Sequence, residues 1–160
     1  MMSSRRALSR ALSQLVFWNI NSASHPKLDE VDVYLDHSPA LVAAFCESKH
    51  PTASLPYHPC TRCPRHYRAW RKPFRDGHAG LLAFVHCSVN CRSRPDLSLS
   101  DHVLVLHCRF HNAPTDCLVG IAYRWPQCEP ADWQNILASV RKTSKAAAEH
   151  GLPVYWLGDW

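Results

Sequence analysis

The apolar residues of this chain gather into short, uninterrupted runs set apart by polar and proline-rich stretches. The first run lies in Leu15 to Ser22, where four apolar residues lead straight into Asn19-Ile20-Asn21. A brief continuous apolar run fits a strand buried on both faces. The asparagines then stand at a strand's carboxyl end, where open α/β sheets bind ligands, although such a pair also suits a plain turn. Pro26 to Leu35 follows as a helix, with Leu28, Val31 and Leu35 as its apolar stripe and His25 or Ser24 as its cap. His37-Ser38-Pro39 stops it, and Leu41 to Phe45 forms a second apolar run ending at Cys46-Glu47-Ser48. Strand, helix, strand with a right-handed crossover makes the two strands parallel. Asn21 and Glu47 therefore leave one sheet at the same rim.

Residues 50 to 78 read as a proline-rich loop, entered again as a strand from Gly77 to His86. His102 to Phe110 alternates apolar and polar positions, the mark of a strand with one wetter face. Arg92 to Ser100 is polar and reads as a hairpin loop. Cys117 to Tyr123 is another strand, followed by Arg124-Trp125-Pro126. Pro130 to His150 is the clearest helix, with Trp133, Ile136, Leu137, Val140 and Ala147 at helical spacing and Gly151 and Pro153 closing it. Leu152 to Leu157 gives a last buried strand before Gly158-Asp159-Trp160.

The 160 residues suffice for one ordinary domain. We place it at residues 15–160, behind a basic tail of residues 1–14 whose Arg5, Arg6 and Arg10 would equally suit an organelle presequence. No apolar run is long enough to span a bilayer, so no membrane partner is expected. Eight cysteines without a secretory signal read as reduced intracellular thiols. The net charge of +5 favours an anionic partner. Arg62, Arg65, Arg68, Arg71, Lys72 and Arg75 interleave with Tyr67, Trp70 and Phe74, a pattern that holds a phosphate backbone and stacks on bases, or else a solvated loop. Cys60-x2-Cys63 and Cys87-x3-Cys91, with His58, His66 and His86 nearby, have zinc-ligand spacing.

Asn21, Glu47, Tyr123 and Asp159 all lie just beyond apolar strands. A carboxylate and an amide on one rim can hold a hard divalent cation, and a second carboxylate can orient an attacking water. The order Trp18-Asn19-Ile20-Asn21, Glu47-Ser48, Tyr123-Arg124-Trp125-Pro126, an amphipathic helix and Leu157-Gly158-Asp159-Trp160 resembles the endonuclease/exonuclease/phosphatase, or DNase I-like, superfamily. Its non-LTR retrotransposon branch is the most similar. The resemblance implies a four-layer α/β/β/α sandwich and hydrolysis of a nucleic-acid phosphodiester, with DNA as partner, Mg2+ (or Mn2+) as cofactor and a nuclear location. By the same resemblance Asn19 lies on the site floor near the scissile phosphate, and Asn21 and Glu47 hold the metal. Tyr123 and Arg124 contact phosphate, and Asp159 positions or deprotonates the water.

The family motif continues with Asn after the position of Trp160, and its later Asp-His pair has no counterpart here. The resemblance thus implies the first half of the sandwich, truncated before the second sheet is complete and inactive as a fragment. The bare inner face of the first sheet would then call for a C-terminal continuation or a partner chain. A non-catalytic nucleic-acid-binding remnant and a small zinc-binding module are the alternatives.

Overall fold

The structure is a computed structural model that describes residues 14–21, 25–47, 64–73, 80–111 and 113–160. Two four-stranded sheets lie face to face. The first has the order β1-β2-β4-β3, from β1 (Leu15–Asn19), β2 (Val42–Cys46), β3 (Tyr67–Pro73) and β4 (Gly80–His86). The second has the order β5-β6-β7-β8, from β5 (Asn90–Ser93), β6 (Val103–Arg109), β7 (Cys117–Tyr123) and β8 (Val154–Asp159). Helix α1 (His25–His37) covers the outer face of the first sheet, setting Leu28, Val31 and Leu35 against Ala43, Phe45, Leu82 and Phe84. Helix α2 (Pro130–Glu149) covers the second, packing Ile136 and Ala147 against Val103, Val105, Leu118 and Ala122. The layers are α/β/β/α.

Only two strand pairs are parallel, β1 with β2 and β7 with β8. Each is bridged by one of the helices, as a parallel crossover requires. The second crossover is set by the end of α2. Gly151 takes φ +64°, and the Leu152 and Gly151 amides donate back to Ala147 O (2.9 Å) and Ala148 O (3.3 Å). That six-to-one and five-to-two pattern reverses the chain and aims Pro153 and β8 back along β7.

The expectation of a bare inner face is overturned. Val42, Ala44, Leu81, Ala83 and Val85 of the first sheet are closed over by Leu104, Leu106, Val119 and Ile121 of the second. Four strands between Asn90 and Asp159 already make that second sheet. Two of the eight strands run against the sequence reading. β3 lies within the stretch read as loop, and the second half of β5 runs into the polar stretch read as a hairpin loop. Both are edge strands. In β3, Tyr67 and Ala69 face the α1 side while Trp70 faces the other sheet, an alternation hidden by the arginines between them. The Tyr67 hydroxyl fixes this edge by accepting from Ala40 N–H (3.1 Å) and donating to Ala40 O (2.9 Å).

The zinc-module reading is also corrected at its second pair. Cys87 lies exposed in a turn, whereas Cys91 alternates inward on β5 and packs in the core beside Cys108. Cys60 and Cys63, like residues 1–13, lie outside the described residues.

Candidate active site

Because β1 and β2 run parallel with Asn19 opposite Cys46, Asn19 and Glu47 leave the first sheet side by side. β7 and β8 run parallel with Tyr123 opposite Asp159, which does the same for the second sheet. The four positions line one open cleft of about 370 Å3, with Arg124, Trp125, Pro126 and Trp160 as the remaining walls. Glu47 is its centre. Asn19 Nδ2 donates to Glu47 Oε1 at 2.9 Å, and the Tyr123 hydroxyl, from the other sheet, donates to the same oxygen. Hydrogen bonds to a carboxylate are among the strong ones, so this pair both locks the Glu47 rotamer and ties the sheets together.

Backbone geometry prepares the first-sheet half. Glu47 and Asn21 both sit in the left-handed region, at φ 53° and 44°. This conformation costs a non-glycine residue on the order of 1 kcal/mol and turns the chain sharply. The Asn21 amide donates to Asn19 Oδ1 at 3.0 Å, a turn that asparagine side chains stabilise. Asn19 is thus held at both ends, by Asn21 N–H and by Glu47. Of the two expected metal-site residues, Glu47 lines the cleft, whereas Asn21 is not among the lining residues. It is Asn19 that touches Glu47.

Protonation follows from burial. The Tyr123 phenol is pushed well up, first by burial and then by its bond to Glu47, so it remains a donor throughout the ordinary pH range. The neighbouring Cys46 thiol is pushed up to about 12, by burial and then by the negative charges of Glu47 and Asp159. It stays neutral and is no nucleophile. His102, 4% exposed, stacks on Trp125 with ring centres 3.8 Å apart. Burial pushes it down to about 4, and its carbonyl accepts from Tyr123 N–H at 3.1 Å. His102 and Trp125 therefore form a neutral aromatic wall behind Tyr123. The sequence reading passed over both; the visible signal was a histidine opening one strand and a Trp-Pro closing the next.

Arg124 lines the cleft, with its guanidinium 5.0 Å from the centre of the Trp133 ring and its backbone N–H donating to Asp159 O at 2.9 Å. The remaining basic candidates lie elsewhere. Arg68, Arg71 and Lys72 are on β3, two strands beyond β2 and so roughly 10 Å from it. Arg68 Nη2 donates to Val89 O (2.6 Å), and Lys72 Nζ crosses to the other sheet to reach Ser100 O (2.6 Å). Burial holds the Lys72 ammonium below the usual lysine range. Arg65 is exposed in the turn before β3, at the end of that strand away from the cleft, and Arg75 lies outside the described residues.

Among the described residues no group of three or more His, Cys, Asp or Glu side chains is arranged to hold a metal ion. A hard cation in this cleft would rest on the Glu47 carboxylate, waters and substrate oxygens. That donor set fits magnesium, which keeps several waters and uses one or two carboxylates with substrate phosphates; it does not fit zinc.

The arrangement of the layers recurs in solved structures. The endonuclease domain of TRAS1, a telomere-specific non-LTR retrotransposon, superposes with TM-score 0.61 at 16% identity, over 90% of this chain and 57% of that one. The catalytic domain of Xenopus laevis APE2 does so with TM-score 0.62 at 18% identity, over 90% and 57%. The human Nocturnin catalytic domain gives 0.58 at 11%, over 89% and 61%. The fold is the DNase I-like one that these structures share. The chain spans about three fifths of the length of these DNase I-like structures. No protein-family model and no curated protein matches it in sequence. Among the described residues, no helix is long and apolar enough to cross a membrane.

Proposed function

We propose that this domain derives from, and retains the ground plan of, a divalent-metal-dependent nuclease that hydrolyses phosphodiesters in DNA. The observation that carries the reading is one carboxylate, Glu47, gripped by Asn19 from its own sheet and by Tyr123 from the facing sheet in a cleft also lined by Asp159. A magnesium or manganese ion bound there supplies charge neutralisation at a phosphate oxygen. Glu47 holds that ion, and its two donors keep the carboxylate from swinging away. Tyr123, kept protonated, would donate a hydrogen bond to a non-bridging phosphate oxygen. Arg124 offers a fixed positive charge, held over Trp133, to the same backbone. Asp159 accepts a proton from the water that attacks phosphorus. Such a substrate suits a nuclear setting.

Among the described residues lining the cleft there is no histidine, and Tyr123 is the hydroxyl placed to deliver a proton to the leaving oxygen. We therefore propose that the 160-residue chain binds metal and nucleic acid but turns over slowly or not at all. Exposed Arg65 and Arg71 favour nucleic-acid binding as what remains. The test pairs two readouts: paramagnetic broadening by Mn2+ of Asn19 and Tyr123 resonances, and nicking of supercoiled plasmid. Selective broadening that Glu47→Gln abolishes supports the reading, with or without nicking. Broadening unchanged by Glu47→Gln, or nicking that survives both Glu47→Gln and Asp159→Asn, overturns it.

A further inference from the structure

The inner face of the second sheet carries a row of three thiols that hydrolysis does not use. Cys91 on β5, Cys108 on β6 and Cys117 on β7 are consecutive register partners, Cys91 opposite Cys108 and Cys108 opposite Cys117. All three are buried between the sheets. The Cys108 thiol donates to Cys91 Sγ across 3.6 Å. The ladder explains the closeness. Arg94 N–H donates to Val105 O at 2.8 Å, which makes that rung a hydrogen-bonded one. Bonded and unbonded rungs alternate in an antiparallel pair, so the rung three steps on, Cys91 with Cys108, is unbonded. Directly opposed residues of that kind have Cα atoms about 4.5 Å apart, within the roughly 4.4–6.8 Å that a disulfide spans.

We propose that Cys91 and Cys108 are a redox-addressable pair that closes to an intramolecular disulfide on encounter with hydrogen peroxide, leaving Cys117 as a free thiol. Cys91 is the entry point, because it lies on a four-residue edge strand and is 7% exposed, against 0% for Cys108. Its sulfur attacks the distal peroxide oxygen and the O–O bond breaks. The leaving hydroxide takes the Cys91 proton as water, and a sulfenic acid remains. Cys108 sulfur then attacks the sulfenic sulfur, the S–O bond breaks, and hydroxide departs with the Cys108 proton as a second water. Two electrons pass from two thiols to one peroxide, which balances the step. Cys117 is the poorer partner. The Cys108 thiol is turned to Cys91, and no such contact joins it to Cys117 among the hydrogen bonds of the described residues.

The disulfide would pin β5 to β6 by closing a loop between residues 17 apart. A closure of that length restricts the unfolded chain enough to raise Tm by ~5 °C or more. The test treats the folded protein with hydrogen peroxide, caps free thiols with iodoacetamide and maps the peptides. The expected product is a Cys91–Cys108 link with two hydrogens lost from the intact mass, Cys117 capped only after unfolding, and a raised Tm that a phosphine reductant reverses. Cys91→Ser and Cys108→Ala should each remove the link, and Cys87→Ser should leave it. A Cys108–Cys117 link overturns the proposal. So does a link confined to other cysteines, no link at a dose that oxidises exposed Cys87, or a linked protein with unchanged Tm. Because the wild-type map decides the outcome, a variant that fails to fold does not.

Discussion

Gly120 lies on β7 directly opposite Trp156 on β8, and the indole covers the space a side chain would fill. An alanine Cβ there would stand 2.3 Å from both Cε3 and Cζ3 of the ring and 2.7 Å from Cη2. Ordinary contact begins near 3.4 Å, so the shortfall is 3.4 − 2.3 = 1.1 Å. The ring cannot yield freely, because its other side meets Trp160 edge-on at 5.9 Å. Gly120→Ala must push the indole off β7 or part β7 from β8, and overpacking of this kind costs about 1–3 kcal/mol. At this chain length that is a drop in Tm of roughly 2–12 °C. With the ring removed, the alanine should instead help by ~0.5–1 kcal/mol, since glycine loses more backbone freedom on folding. A double-mutant cycle of Gly120→Ala and Trp156→Ala, read by urea unfolding under far-ultraviolet circular dichroism, should therefore give a coupling of at least ~1 kcal/mol. If the two changes prove additive, the ring does not define that space and the reasoning fails.

Gly158→Ala is the harsher change, because its Cβ would fall 2.2 Å from Ala122 O. Backbone cannot turn aside, so ~3 kcal/mol or more of lost stability is expected, together with weakened Mn2+ broadening as Asp159 shifts. For His102, the folded value near 4 against 6.5 unfolded is a difference of 2.5 units, or about 3 kcal/mol. Because the folded value is depressed, that stability is whole above pH 6.5 and drains away as pH falls toward 4. His102→Phe, which keeps the stack on Trp125, should flatten this acid limb in unfolding measured at pH 7 and pH 4.5; an unchanged limb would assign it to other groups. Tyr123→Phe removes one of the two donors to Glu47 and should cost ~1–2 kcal/mol in urea unfolding, with a weaker Mn2+ effect on Asn19. A neutral result would show that the Tyr123 bond does not hold the carboxylate in place.

What could be read in the sequence follows a physical dividing line. β2 and β7 are buried along their whole length, so their apolar runs are continuous and announce themselves. The stripe of α1 proved to be the face it buries, whereas α2 buries Ile136, Ser139, Thr143 and Ala147, so Leu137 and Val140 of its expected stripe stand beside that face. Glu47 could be placed because parallel pairing ends β1 and β2 at one rim, but the partner expected there is Asn21, and it is Asn19 that lines the cleft. β3 and β5 could not be placed, since an edge strand needs only one buried side chain in two, and their outward positions hold arginines. The expectation of a bare inner face failed for the same reason. With β5 unseen and β8 taken as a last addition, the second sheet looked unfinished, although it already closes the core. The basic stretch could be resolved only in the structure, because charge along a sequence does not tell which face it occupies. Lys72 spends its charge tying two sheets together.

The grip on Glu47 also has a consequence for how the molecule comes to be. Its donors are 28 and 76 residues away along the chain, and the longer of these spans joins one sheet to the other. Contacts of such separation form only after the intervening loops have closed. Each βαβ unit can assemble from nearer neighbours, whereas the cleft exists only once both sheets have docked. Its competence is therefore all-or-none with respect to that docking, and a chain caught with its sheets apart would hold two folded halves and no site.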